Sequence, residues 1–162
     1  MTGLQANRQY PFLGGSASDE YFEPGESWLD WVLVGWRPAF LEMCKEILDL
    51  FSSKGYDISG LHIDQVKEKF GELRVYFSLT DDCSDLMDSV QEIIDRTCDK
   101  TSSMCWVCGQ PASRVSRGYT LPYCDACARR AYEEQRRLGR EGKSFEDCFP
   151  KRQICAKKIF EV

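Results

Sequence analysis

Between residues 37 and 55, apolar side chains return at helical spacing. Phe40, Leu41, Cys44, Ile47, Leu48 and Phe51 share one face of RPAFLEMCKEILDLFSSKG, which predicts a helix. Pro38 suits its first turn and Gly55 its C-terminal stop. A second stripe runs through DDCSDLMDSVQEIIDRTCDK: Leu86, Val90, Ile93 and Ile94, with Met87 at its edge. It predicts a second helix, capped by Asp81 or Asp82, whose acidic first turn suits the helix dipole. Between the two helices the period changes. Leu73, Val75 and Phe77 alternate with Arg74 and Tyr76, so LHIDQVKEKFGELRVYFSLT predicts two strands joined tightly near Phe70-Gly71-Glu72. The first strand alternates less regularly than the second.

The flanks are less periodic. Residues 1–26, with Gly14-Gly15, Ser16, Ser18 and Pro24-Gly25, predict an irregular N-terminal arm. WLDWVLVGW then places Trp28, Trp31 and Trp36 within nine residues. Exposed, such a cluster is a binding patch; buried, it is core, and core is the expectation. At the other end, Phe145, Phe149, Ile154, Ile159 and Phe160 make residues 141–162 too apolar for a free tail. The tail is expected to pack back on the body formed by residues 27–100.

Composition supports a folded chain of 162 residues: 43% hydrophobic and 29% charged, with four Trp, nine Phe and seven Tyr. No run of eighteen apolar residues suggests a membrane span, and MTGLQANRQYPFLGGSASDE lacks the plan of a signal peptide. Both point to a cytoplasmic location. The nine cysteines, an odd number, fit that compartment better than a disulfide scaffold. Net charge is uneven. Residues 1–100 carry 9 Lys+Arg against 19 Asp+Glu, a balance of −10, while residues 101–162 carry 12 against 7, a balance of +5. An acidic body joins a basic end, as interaction proteins often have it.

The chemistry concentrates in CWVCGQPASRVSRGYTLPYCDACARR, residues 105–130. Cys105, Cys108, Cys124 and Cys127 form C-x2-C-x15-C-x2-C, a strong zinc pattern, since two intervening residues let the chain curl both sulfurs of a pair toward one ion. Four thiolates close a tetrahedron and leave no position for a reacting water, so the expected role is one structural Zn2+ per chain. Between the pairs, Val115 and Thr120-Leu121 flank a turn at Gly118. After them, ACARRAYEEQRRLGR reads as a helix whose start holds Cys124 and Cys127. Knuckle, hairpin and helix over residues 101–140 resemble a treble-clef zinc finger. The remaining cysteines (Cys44, Cys83, Cys98, Cys148 and Cys155) read as scattered thiols.

Arginines crowd this module: Arg114 and Arg117 on the hairpin, Arg129, Arg130, Arg136, Arg137 and Arg140 after it. Arginine forks match phosphate, so these residues are candidates for contact with nucleic acid or another partner. Glu133, Glu134 and Glu141 are interleaved, so several of these arginines are also read as pairing along a solvated helix face. Lys67, Lys69, Arg74 and Tyr76 form a polar face on the first hairpin, read either as an anion or partner site or as charges that blunt a sheet edge.

VKEKFGELRVYFS also resembles the KEKFG-LR-[FV]-Y-[FY] signature of a family of small bacterial and phage proteins. Those place a helix before this hairpin, another after it and a paired-cysteine module further on. The resemblance spans residues 28–130 and implies a bacterial or phage origin. It names no general activity.

The expected fold is therefore α+β: a helix–β-hairpin–helix body with a small treble-clef-like zinc-binding module. GxSxG, HExxH and Walker-type loops are all missing, and the single histidine, His62, sits on a strand far from the cysteines. The leading expectation is a non-enzymatic, zinc-stabilised binding protein that engages a host protein or protein complex, for example a phage-encoded counter-defence inhibitor of the anti-CRISPR kind. The alternative is a DNA- or RNA-binding accessory factor using the Arg-rich module.

Overall fold

The computed structural model describes residues 1–14, 26–139 and 142–152, and its architecture is α+β. The two predicted helices are α3, Arg37–Lys54, and α4, Met87–Ser102; between them lie strands β1, Leu61–Lys69, and β2, Glu72–Leu79. The short helices α1, Gly3–Gln9, and α2, Trp28–Trp31, precede α3. The cysteine module follows α4 with strands β3, Arg114–Val115, and β4, Pro122–Tyr123, then α5, Asp125–Arg137, and α6, Phe145–Cys148.

Helix α3 obeys its sequence. Pro38 lies in the first turn, Gly55 ends it with φ 76°, and Phe40, Cys44, Ile47 and Phe51 are buried with Met43. Val90 and Ile94 of α4 close over the same core. The exposed edges of α3 and α4 are joined by the ion pairs Glu46–Arg96 and Glu42–Lys100. Strands β1 and β2 pair antiparallel from Leu61↔Leu79 to Lys69↔Glu72. The irregular alternation of the first strand has a physical cause: the register shifts between Ile63 and Gln65, leaving Asp64 as an extra residue.

Two tryptophans of the cluster are core, and each also pins a distant carbonyl. Trp28 Nε1 donates to Ile63 O at 2.9 Å and Trp36 Nε1 to Met104 O at 3.1 Å. Trp31 departs from the core reading, at 49% exposed.

The N-terminal segment is more regular than expected over residues 1–14. Thr2 caps α1 through a capping box with Gln5, and Ala6, Tyr10, Phe12 and Leu13 are buried in the main core. A seven-residue helix is too short to show a period, and most of its anchoring residues lie just past its end. The remainder of the predicted arm, residues 15–25, lies outside the described residues. The start of α4 also differs. Neither Asp81 nor Asp82 caps it. A 3-10 turn over Asp81–Leu86 leads in from Thr80, which makes no side-chain cap, and Cys83 (φ −125°) breaks the helical path.

A second, smaller core holds the module: Cys105, Tyr123, Cys127, Ala128 and Phe149, with Trp106 packed against both cores. Between residues 142 and 152 the tail packs here, where the sequence suggested the body. Phe149 stacks edge-on against Tyr123 at 5.1 Å and Phe145 against Tyr132 at 5.5 Å. Pro150–Arg152 then runs beside β3, with Val115 N donating to Pro150 O and Arg152 N to Ser113 O. The reason is local: Tyr123 and Tyr132 offer the tail rings aromatic partners, and Arg114 ties Glu146 and the Phe149 carbonyl to β3. Ile154, Cys155, Ile159 and Phe160 lie outside the described residues, as do Arg140 and Glu141.

Candidate metal centre

Cys105, Cys108, Cys124 and Cys127 come together, with all four Sγ atoms within 4.8 Å of one another. A tetrahedral site with metal–sulfur bonds of about 2.3 Å separates its sulfurs by about 3.8 Å. Cys108 Sγ and Cys124 Sγ stand 3.6 Å apart, so the donor set fits a metal ion.

Each pair is shaped by local structure. The first lies on a knuckle in which Gly109 N donates to Cys105 O and Gly109 takes φ 75°, a conformation glycine adopts without penalty. In the second, Cys124 is the N-cap of α5 and its Sγ accepts from Cys127 N at 3.4 Å. A cysteine thus does the work usually given to Ser or Asp, and the helix dipole favours negative charge on its sulfur.

Two of the thiols are shifted in opposite directions. Burial pushes Cys105 up, but backbone N–H groups of Cys124, Cys108 and Val107 outweigh it and hold that thiol below the usual range. Burial, then the neighbouring thiols of Cys108 and Cys124, push Cys127 up to about 12, against a lowering contribution from Arg130. Arg130 Nη2 donates to Cys127 Sγ at 3.1 Å. Four sulfurs competing for negative charge in a confined space are what a divalent cation relieves.

The structure separates the predicted arginines by role. Arg114 is buried: it donates to Asp125 Oδ1 at 2.6 Å, Glu146 Oε2 at 2.8 Å and Phe149 O at 2.8 Å. It therefore ties β3, α5 and the tail together and presents no guanidinium to solvent. Arg129 pairs with Asp125 and lies 4.9 Å from the Phe145 ring centroid. Arg137 pairs with Glu134, and Arg130 faces the cysteines. Arg117 and Arg136 are exposed. Arg114 is thus withdrawn from any basic surface, while Arg129, Arg130, Arg136 and Arg137 remain exposed on α5.

The residue that sequence reasoning missed is Gly35. A Cβ there would stand 2.2 Å from Cys105 O and 2.7 Å from both Gly109 N and Trp106 C, and Gly35 N donates to Trp106 O at 2.7 Å. The knuckle thus rests directly on the backbone of the body. A lone glycine between Val34 and Trp36, outside any predicted turn, is the only sequence signal of it. Of the other candidates, His62 is half-buried on β1 with its Nε2 3.8 Å from Asp64 Oδ1, and Lys67 Nζ lies over the Tyr76 ring. No helix among the described residues is long and apolar enough to cross a membrane. Comparison with family models, with curated proteins and with solved structures finds no match to the chain.

Proposed function

We propose that the chain is a binding protein whose four-cysteine cluster holds one structural Zn2+ in a treble-clef-like module, and that it acts by contact with a host protein complex. The observation that carries this reading is the combination of an all-thiolate donor set with a knuckle seated on Gly35. A closed thiolate tetrahedron suits structural zinc, and here it clips a thin second core onto the first. The signature in VKEKFGELRVYFS supports a phage or bacterial setting, in which a small inhibitor of a defence complex is the concrete form of the reading. The Arg-helix reading loses Arg114, which is buried and ion-paired within the chain, and keeps Arg129, Arg130 and Arg137, which stay exposed beside their partners.

The partner-facing surface of this reading is acidic. Asp81, Asp82 and Asp88 are exposed on the 3-10 turn and the start of α4, and such a field steers association with basic protein surfaces. The test is expression of the chain in a bacterial host carrying a nucleic-acid-guided defence complex, scored by loss of interference. Wild type should inhibit. Asp81→Lys combined with Asp88→Lys should abolish inhibition in a folded protein, while Arg136→Glu should leave it intact. Inhibition lost with Arg136→Glu and kept with the acidic-face variant would overturn the reading.

A further inference from the structure

The seam between body and module holds a feature that the metal clip does not explain. Phe70 and Gly71 form the two-residue connection of the β1–β2 hairpin, with φ 56° and 80°. Two positive φ values in succession mark the connection that Asn-Gly makes cheaply. Phe is a poor choice for the left-handed region, because its Cβ crowds the following carbonyl. It is also 75% exposed, so most of the ring meets water. One residue thus carries both a conformational and a solvation penalty, and such outliers concentrate where ligands bind.

A second outlier faces the first. Thr120, β-branched, has φ 56°, and its carbonyl oxygen stands 2.4 Å from where a Cβ on Gly71 would lie. Only glycine at 71 lets the two loops approach so closely. Beside Thr120, Tyr119 is 79% exposed.

Between the loops is a cleft of about 440 Å³ whose lining includes Phe70, Gly71, Thr120, Pro122, Lys151 and Arg152. That volume lies within the range of small-molecule sites. Backbone bonds from Val115 N to Pro150 O and from Arg152 N to Ser113 O fix the strand that carries the two cations. Neither cation makes an ion pair within 4.0 Å with a described carboxylate, although Glu146, held by Arg114, lies close enough to feel the charge of Lys151. The acidic side chain in the lining, Glu72, is ion-paired with Arg74. Lys69 Nζ adds positive charge 5.6 Å from the Phe70 ring centroid.

We propose that this cleft binds a nucleotide unit, its base stacked on Phe70 and its phosphate held by Lys151 and Arg152. A carboxylate ligand would satisfy the cations and gain nothing from an exposed flat ring held in a strained conformation; a nucleotide uses both. An aromatic platform beside fixed cations is how single strands are held without base reading. The same chemistry serves a free nucleotide. The proposal goes beyond the protein-binding reading and does not depend on it.

The test uses the full-length, zinc-loaded chain. Binding of fluorescein-labelled dT12 and rU12 is followed by anisotropy from low to physiological salt, with AMP and ATP as competitors. At least one probe should bind. Phe70→Asn keeps the turn, because Asn tolerates the left-handed region, and should lower affinity about ten-fold or more with an unchanged or higher Tm. Lys151→Glu with Arg152→Glu should weaken binding and flatten its salt dependence. Arg136→Glu, on α5 outside the cleft, should leave affinity within about two-fold. Competition by millimolar AMP or ATP assigns the site to free nucleotides; oligonucleotide binding that resists them assigns it to single strands. The proposal is overturned if no probe binds at low salt, or if binding survives Phe70→Asn. Either result leaves the inhibition assay untouched, so the two readings fail separately.

Discussion

At the scale of single residues, the positions that matter most to the module are Gly35 and Arg114, and neither was legible as such in the sequence. Gly35 matters for what it lacks. Any side chain there meets three backbone atoms of the knuckle, which cannot swing aside as a rotamer does. Gly35→Ala should therefore destabilise the chain by about 3 kcal/mol and, if the four cysteines hold the proposed metal, speed its loss to a chromogenic chelator. Arg114 looks in the sequence like any other arginine of the basic end, because the groups that claim it, Asp125, Glu146 and the Phe149 carbonyl, lie 11, 32 and 35 residues away. Arg114→Met should lower Tm by several degrees, whereas Arg136→Met should not move it. The pH dependence follows. Arg114 holds the carboxyls of Asp125 and Glu146 below their ordinary values. A depressed folded-state pKa gives stability that is complete above the unfolded value, about 4, and is lost as pH falls through the folded one. The gap between wild type and Arg114→Met in urea should thus be widest near neutrality and narrow below about pH 4. The clustering of the four cysteines, by contrast, was legible, because two residues between the members of each pair is a local rule that no distant partner alters.

At the scale of elements, period carried the reading where it ran long enough. Helix α3 and the buried stripe of α4 follow from their repeats, and Ile94→Ala should cost about 3 kcal/mol in equilibrium unfolding, as expected for an aliphatic side chain 1% exposed. Short or broken elements did not declare themselves. Helix α1 spans seven residues, the 3-10 turn before α4 breaks the period at Cys83, and Asp64 shifts the register of β1. The hairpin connection was placed near Phe70-Gly71-Glu72 and falls at Phe70-Gly71, with Glu72 already in β2, yet nothing in the letters said that the phenylalanine would stand in the left-handed region in water. Phe70→Asn should raise unfolding stability by about 1 kcal/mol, read as a higher urea midpoint with the same slope. A more stable variant would mark Phe70 as kept at the expense of the fold.

At the scale of the whole molecule, two cores of unequal depth meet at a seam. The first is built from large side chains: Trp36, Phe40 and Phe51 are fully buried. The second leans on Phe149 and on the cysteines. Chelation should separate them. In hydrogen exchange of the whole chain, stripping the metal proposed for the four-cysteine site should abolish protection at Cys127–Tyr132 of α5 while Met43–Ile47 of α3 stay protected. Equal loss at both would show that metal and body fold as one cooperative unit. Sequence announced the first core through the stripes of α3 and α4, but it placed Phe149 on that body and showed no sign of the seam, because the seam's contacts pair residues far apart, Gly35 with Cys105 and Gly71 with Thr120.

The seat of the knuckle on Gly35 also bears on portability. Many small modules can be cut out and moved between scaffolds, because their surfaces end in side chains that water accepts. The four-cysteine module ends in peptide groups. Excised at residue 103, the Trp106 carbonyl would lose its donor, and the bare backbone of Cys105–Gly109 would face solvent where another backbone had covered it. The segment is thus an organ of this chain, and grafts or domain swaps should carry residues 34–36 along with the cysteines.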